Sequence, residues 1–93
     1  MKNLFETDFE TDVLTIEETD INKKIIVYND EVNSFQHVIN CLMKYCKHDI
    51  EQAEQCAWII HTKGKCSIKE GTYDNLKPMK EALTENGISA KIE

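Results

Sequence analysis

The apolar positions of this chain gather into short blocks between residues 23 and 93. Ile25-Ile26-Val27-Tyr28 is an unbroken, largely β-branched run. It predicts a strand from about Lys23 to Asn29, either central in a sheet or covered on both sides. Asn29-Asp30-Glu31 behind it cannot continue into a core and predicts a turn at the surface. Phe35, Val38, Ile39, Leu42, Met43 and Cys46 then recur at helical spacing, behind Asn33 or Ser34 as the N-cap. Lys44 and Lys47 sit where the dipole of that helix favours cations. Asp49 with Gln52 three residues on reads as a capping box opening a second helix. Its apolar face is Ile50, Ala53, Ala57 and Ile60, widened by Trp58 and Ile59, and Gly64 is its left-handed stop.

The last third repeats the alternation of strand and helix. Lys65 to Lys69 predicts a short strand with Cys66 and Ile68 on one face. Thr72 caps a third helix striped by Leu76, Met79 and Leu83. Pro78 removes a backbone donor inside that helix, so the helix is expected to kink or to begin near Lys77. Gly87 ends it, and Ile88, Ala90 and Ile92 alternate as a last strand. The order strand-helix-helix-strand-helix-strand, with one sheet face under helices, predicts a two-layer α+β domain over residues 23–93 with a three-stranded sheet.

Charge separates this domain from what precedes it. Of 17 acids and 11 lysines, residues 1 to 22 hold seven and one, which leaves ten of each for the remainder. Residues 1–22 alternate acids with isolated apolars and show no sustained period, so a flexible acidic arm is expected. A neutral body beside an acidic arm argues against nucleic acid, which demands a clustered basic surface. No apolar run is long enough to span a membrane. The N-terminus has neither a basic start nor an apolar signal core, and the four cysteines are expected to be reduced thiols in the cytoplasm. A monomer is the default for so small a neutral body.

Three kinds of chemistry can be asked of these residues. A metal site would draw on four Cys and three His. His37 and Cys41 share a helical face, but no Cys-x-x-Cys and no zinc-spaced His pair exists, so no metal or cofactor is expected. A thiol enzyme would need Cys56 or Cys66 beside a base such as His61, and no nucleophile elbow or phosphate loop accompanies them. The third possibility pairs Asn29-Asp30-Glu31 at the end of the first strand with His61 at the end of the second helix. A carboxylate, an amide oxygen and a neutral imidazole nitrogen are all acceptors. Together they suit a cation with three N–H donors, such as a free peptide α-ammonium.

At these residues the chain resembles a known family. Ile25-Ile26-Val27-Tyr28-Asn29-Asp30-Glu31, followed by Ile59-Ile60-His61-x-x-Gly64-Lys65 and Glu85-Asn86-Gly87, is similar to ClpS, the adaptor that delivers N-degron proteins to the Clp protease. The resemblance covers roughly residues 23 to 93. It implies a fold like the ribosomal stalk protein's C-terminal domain, no catalytic activity, and a Clp AAA+ unfoldase of the ClpA or ClpC type as partner, engaged by the arm. It further implies that Asn29, Glu31 and His61 hold the α-ammonium of a substrate beginning with Phe, Tyr, Trp or Leu. Asp30, Asn33, Phe35, Val38 and Ile60 would shape the pocket for that first side chain.

The chain departs from the family pattern at several of these points. Glu31 stands where a second Asp is usual, Asn33-Ser34 where Thr-Pro is common, and Phe35 at a gatekeeper position usually Met. The stretch between Gly64 and Glu85 is shorter than in well-known members. A stalk-like interaction module without N-degron binding, and a small thiol enzyme, are the alternative readings.

Overall fold

A computed structural model describes residues 22–93. The expected flexible arm, Asn22 apart, falls outside the described residues. The chain runs β1 (Lys23–Tyr28), α1 (Phe35–Cys46), α2 (Ile50–Lys63), β2 (Lys65–Gly71), α3 (Tyr73–Glu85) and β3 (Ala90–Ile92). The three strands form one antiparallel sheet in the order β2-β1-β3. β1 is therefore central, but it is covered on one face only: Ile25 and Val27 are buried, whereas Ile26 and Tyr28 are half-buried on the other side. Ile25, Val27, Ile68 and Ala90 of the sheet meet Leu42, Ala53, Ile60 and Leu83 of the helices in a single core. Among the described residues no helix is long and apolar enough to cross a membrane.

Each helix starts where a short polar side chain replaces a missing intrahelical acceptor. The side chain of Ser34 accepts from the His37 N–H, Asp49 from Gln52 and Thr72 from Asn75. The apolar arcs are narrower than the sequence pattern implies. Met43, Ile50 and Ile59 lie at the surface, because each sits at the edge or the first turn of its helix, beyond the reach of the sheet.

α3 does not begin near Lys77. It begins at Tyr73, behind the Thr72 cap, and runs through Pro78 without a break. Pro78 and Asp74 are both exposed, so water can serve the Asp74 carbonyl that the missing N–H leaves without a partner. β3 is also shorter than its alternation suggests. The Ile88 N–H donates back to the Leu83 carbonyl at 3.0 Å, which spends it on ending α3, past Gly87 at φ 84°.

Two helix ends take left-handed backbone. Gly64 closes α2 at φ 96° and Lys47 closes α1 at φ 61°. Glycine adopts that region freely; a side chain does so at a cost of about 1–2 kcal/mol. A Cβ built on Gly64 would meet nothing within 4 Å, so its requirement is conformational and not spatial.

The loop from β1 to α1 is organised by one carboxylate. Asp30 Oδ1 accepts from the backbone N–H of Val32 at 3.0 Å and of Asn33 at 2.9 Å. The Asn33 amide donates to Asp30 Oδ2 at 2.9 Å and to the Gly87 carbonyl at 2.7 Å. The loop is thereby pinned to the turn after α3. The backbone N–H of Asn33 is the main reason that the Asp30 carboxyl is held below its ordinary range, against the opposing effect of partial burial.

These features generate three expectations for urea unfolding. Leu42, fully buried, loses about 2–5 kcal/mol on replacement by Ala. Gly64→Ala costs about 1–2 kcal/mol. Lys47→Gly, where relief of the same strain is partly offset by a freer unfolded chain, gains ~0.5 kcal/mol. The Asp30 carboxyl stabilises the fold above its unfolded pKa of about 3.9, and the effect is lost as pH falls through its lower folded value. Stability measured from about pH 7 to about pH 3 should therefore fall more steeply in the natural chain than in Asp30→Asn, which starts lower. Parallel curves for the two would remove Asp30 from this role.

Candidate functional site

Tyr28 pairs with Lys65 in the ladder between β1 and β2, and the Asn29 N–H donates to the Gly64 carbonyl at 2.8 Å. Because Gly64 caps α2, this bond brings the polar end of β1 beside the last turn of α2. The two halves of the sequence pattern, thirty residues apart along the chain, thus share one rim.

Below that rim opens a cavity of about 540 Å³, within the range typical of ligand pockets. Every residue singled out from the sequence lines it: Asn29, Asp30, Glu31, Asn33, Phe35, Val38, Ile60 and His61. α1 contributes Phe35 and Val38, one turn apart on a single face. α2 contributes Ile60 and His61. Ile60 is buried and Val38 half-buried, while Asn29, Glu31, Phe35 and His61 are exposed. A small void of about 20 Å³ adjoins the same Val38 and Ile60, reaching toward Val27 and Ile88. The cavity thus has an apolar floor and a rim rich in acceptors.

The two rim carboxylates differ in what they can do. Asp30 is spent on the loop, with the Ser89 hydroxyl adding a fourth donor group at 3.4 Å. Its part in the site is to hold the loop's shape. Among the described residues the Glu31 side chain, by contrast, takes no hydrogen bond and remains open to the cavity. The Asn33 amide is likewise engaged by Asp30 and Gly87.

Three lining residues escape the sequence pattern: Ser34, Ala57 and Trp58. Trp58 reads from periodicity as a widening of an apolar face, yet it is 60% exposed. Its ring centroid lies 6.3 Å from that of His61, with the planes tilted by 41°. The available signal was its place one turn before His61, on the same side of α2.

Elsewhere the candidate chemistries find no support. Among the described residues no group of three or more His, Cys, Asp or Glu is placed to hold a metal. His37 and Cys41 do meet, at 3.7 Å, but His37 Nε2–H donates to the Asn86 carbonyl at 2.9 Å. His48 is buried with Nε2–H on the Ile68 carbonyl at 2.8 Å. Burial, reinforced by the neighbouring Cys66, pushes the Cys56 thiol up to about 12, and burial pushes Cys46 up to about 11. A nucleophilic thiol needs the opposite shift.

Residues 18–91 match the family model described as "ATP-dependent Clp protease adaptor protein ClpS". A ClpS adapter protein of Synechocystis sp. is 55% identical over 76 residues, covering 81% of this chain and 78% of that protein. One from Nostoc sp. is 55% identical over 79 residues with the same coverage. A third, from Thermosynechococcus vestitus, is 33% identical over 69 residues, 73% of each chain. Adaptors of this family are non-catalytic, and they deliver substrates to the Clp protease. With the model spanning most of the chain and relatives this similar, the chain belongs to the ClpS family of ATP-dependent Clp protease adaptors.

Proposed function

We propose that the cavity at the β1–α2 junction receives the free N-terminus of a substrate whose first residue is large and apolar: Phe, Tyr, Trp or Leu. The observation that carries this reading is the union, in one opening of about 540 Å³, of a carboxylate that takes no hydrogen bond among the described residues and two further acceptors with an apolar floor. Glu31, Asn29 and His61 take the α-ammonium. Val38, Ile60 and Phe35 enclose the side chain. A desolvated ammonium costs several kcal/mol unless its donors are paired. Charge-assisted bonds return about 1.5–3 kcal/mol each, and burial of a large apolar side chain adds about 1.5–3 kcal/mol. Only one end of a flexible peptide is held, so micromolar affinity or somewhat tighter follows.

Residues 23–93 would then carry the N-degron, as a monomer, to a Clp AAA+ unfoldase of the ClpA or ClpC type. Residues 1–22 are the arm that engages that machine. Hydrolysis belongs to the partner.

Fluorescence anisotropy with a labelled Phe-initiated peptide tests the reading, against the same peptide N-acetylated and one beginning with Ala. Saturable binding is expected for the free Phe peptide alone. Equal binding of the acetylated form, or none by any peptide, would leave a stalk-like module without this ligand. Glu31→Ala should weaken the Phe peptide about 10- to 100-fold, the loss of one charge-assisted contact. His61→Ala, which removes one acceptor from the rim, should also weaken the Phe peptide, by up to about tenfold. Unchanged affinity in that variant would take His61 out of the clamp.

A further inference from the structure

Trp58 is the only tryptophan of the chain, and it stands out of place. Large aromatic side chains are usually well covered, yet Trp58 is 60% exposed at the edge of the cavity. It sits on α2 three residues before His61, and their ring centroids lie 6.3 Å apart with the planes tilted by 41°. Phe35, 44% exposed, lines the same cavity from α1. The floor between the two helices is made by covered residues, Ala57 and Ile60 at 2% and 3% exposure. The cavity is therefore graded: a closed apolar floor, and an open aromatic rim that the floor does not need.

We infer that Trp58 is the contact surface for the second side chain of the bound substrate, and that it makes recognition depend on that residue as well as on the first. The inference rests on the N-terminus reading above. With the α-ammonium at His61 and the first side chain on the floor, the chain must leave across the rim. Consecutive Cα atoms lie about 3.8 Å apart, so the second side chain emerges within reach of an indole whose centre is 6.3 Å from the His61 ring. An exposed indole offers a flat, sequence-tolerant face that gains most from another ring. Trp58 is held for this on a continuous helix: the Thr62 hydroxyl donates to the Trp58 carbonyl at 2.8 Å, and Gly64 closes the helix beyond it. Among chains with a large apolar first residue, those with an aromatic second residue are thus favoured.

The test uses the full chain and two free-amine peptides identical but for their second residue, Phe-Phe and Phe-Ala. The natural chain should favour Phe-Phe by about three- to tenfold, the size of a stacking contact. Trp58→Ala should bring that ratio near one, and Trp58→Phe should restore most of it. The emission of the single tryptophan should change more on binding Phe-Phe than on binding Phe-Ala. A ratio near one in the natural chain overturns the inference. So does a Trp58→Ala variant that weakens both peptides equally, which would assign Trp58 to the first side chain or to the fold. Failure of both peptides to bind the natural chain brings down the N-terminus reading itself, and this inference with it.

Discussion

The hydrogen bond from the Asn29 N–H to the Gly64 carbonyl is the constraint on which the site depends. It closes the ladder between β1 and β2 at the end where β1 becomes polar, and its acceptor is the residue that stops α2. Gly64 can stop α2 there because it alone tolerates φ 96° without cost. A strand end and a helix end are thereby fixed within one hydrogen bond of each other. The acceptors that follow β1 and the imidazole that precedes Gly64 share a rim for that reason.

Asp30 and Glu31 are adjacent acids with divided work. Asp30 faces the loop, gathers backbone and side-chain donors, and settles into a stable anionic form. Its gain is rigidity: the loop is pinned to Gly87 through Asn33, across the end of α3. Glu31 stays outside that network: among the described residues its side chain takes no hydrogen bond, and it lines the cavity. A carboxylate already surrounded by donors has little left to offer an ammonium group, whereas one next to a fixed loop residue keeps its acceptors accessible. In the proposed clamp, the part given to Glu31 therefore rests on the commitment of Asp30.

Much of the fold was legible because its signals are local. The caps at Ser34, Asp49 and Thr72, the stop at Gly64 and the apolar run of β1 each depend on a few neighbouring residues. Legibility failed where a local rule met a solvent or packing effect that no local rule contains. Pro78 does not start or break α3, because the Thr72 cap acts first and the orphaned carbonyl is exposed. Ile88 leaves the strand pattern because its N–H is used to end α3. Met43 and Ile50 follow the apolar period yet lie at the surface, since periodicity does not tell how wide a face the sheet can cover.

The sequence by itself determined the elements, their order and the chemical character of the site. Asn-Asp-Glu and His-x-x-Gly-Lys are short patterns whose acceptors can be counted without coordinates. Only the tertiary structure decided how those residues divide the labour. That Asp30 turns inward to Val32 and Asn33 while Glu31 stays open depends on loop geometry set by Gly87, more than fifty residues away. That Trp58 stands at the mouth of a cavity, and not within an apolar face, depends on where α1 lies across from α2. Both are consequences of packing between distant segments, which residue spacing along a chain does not encode.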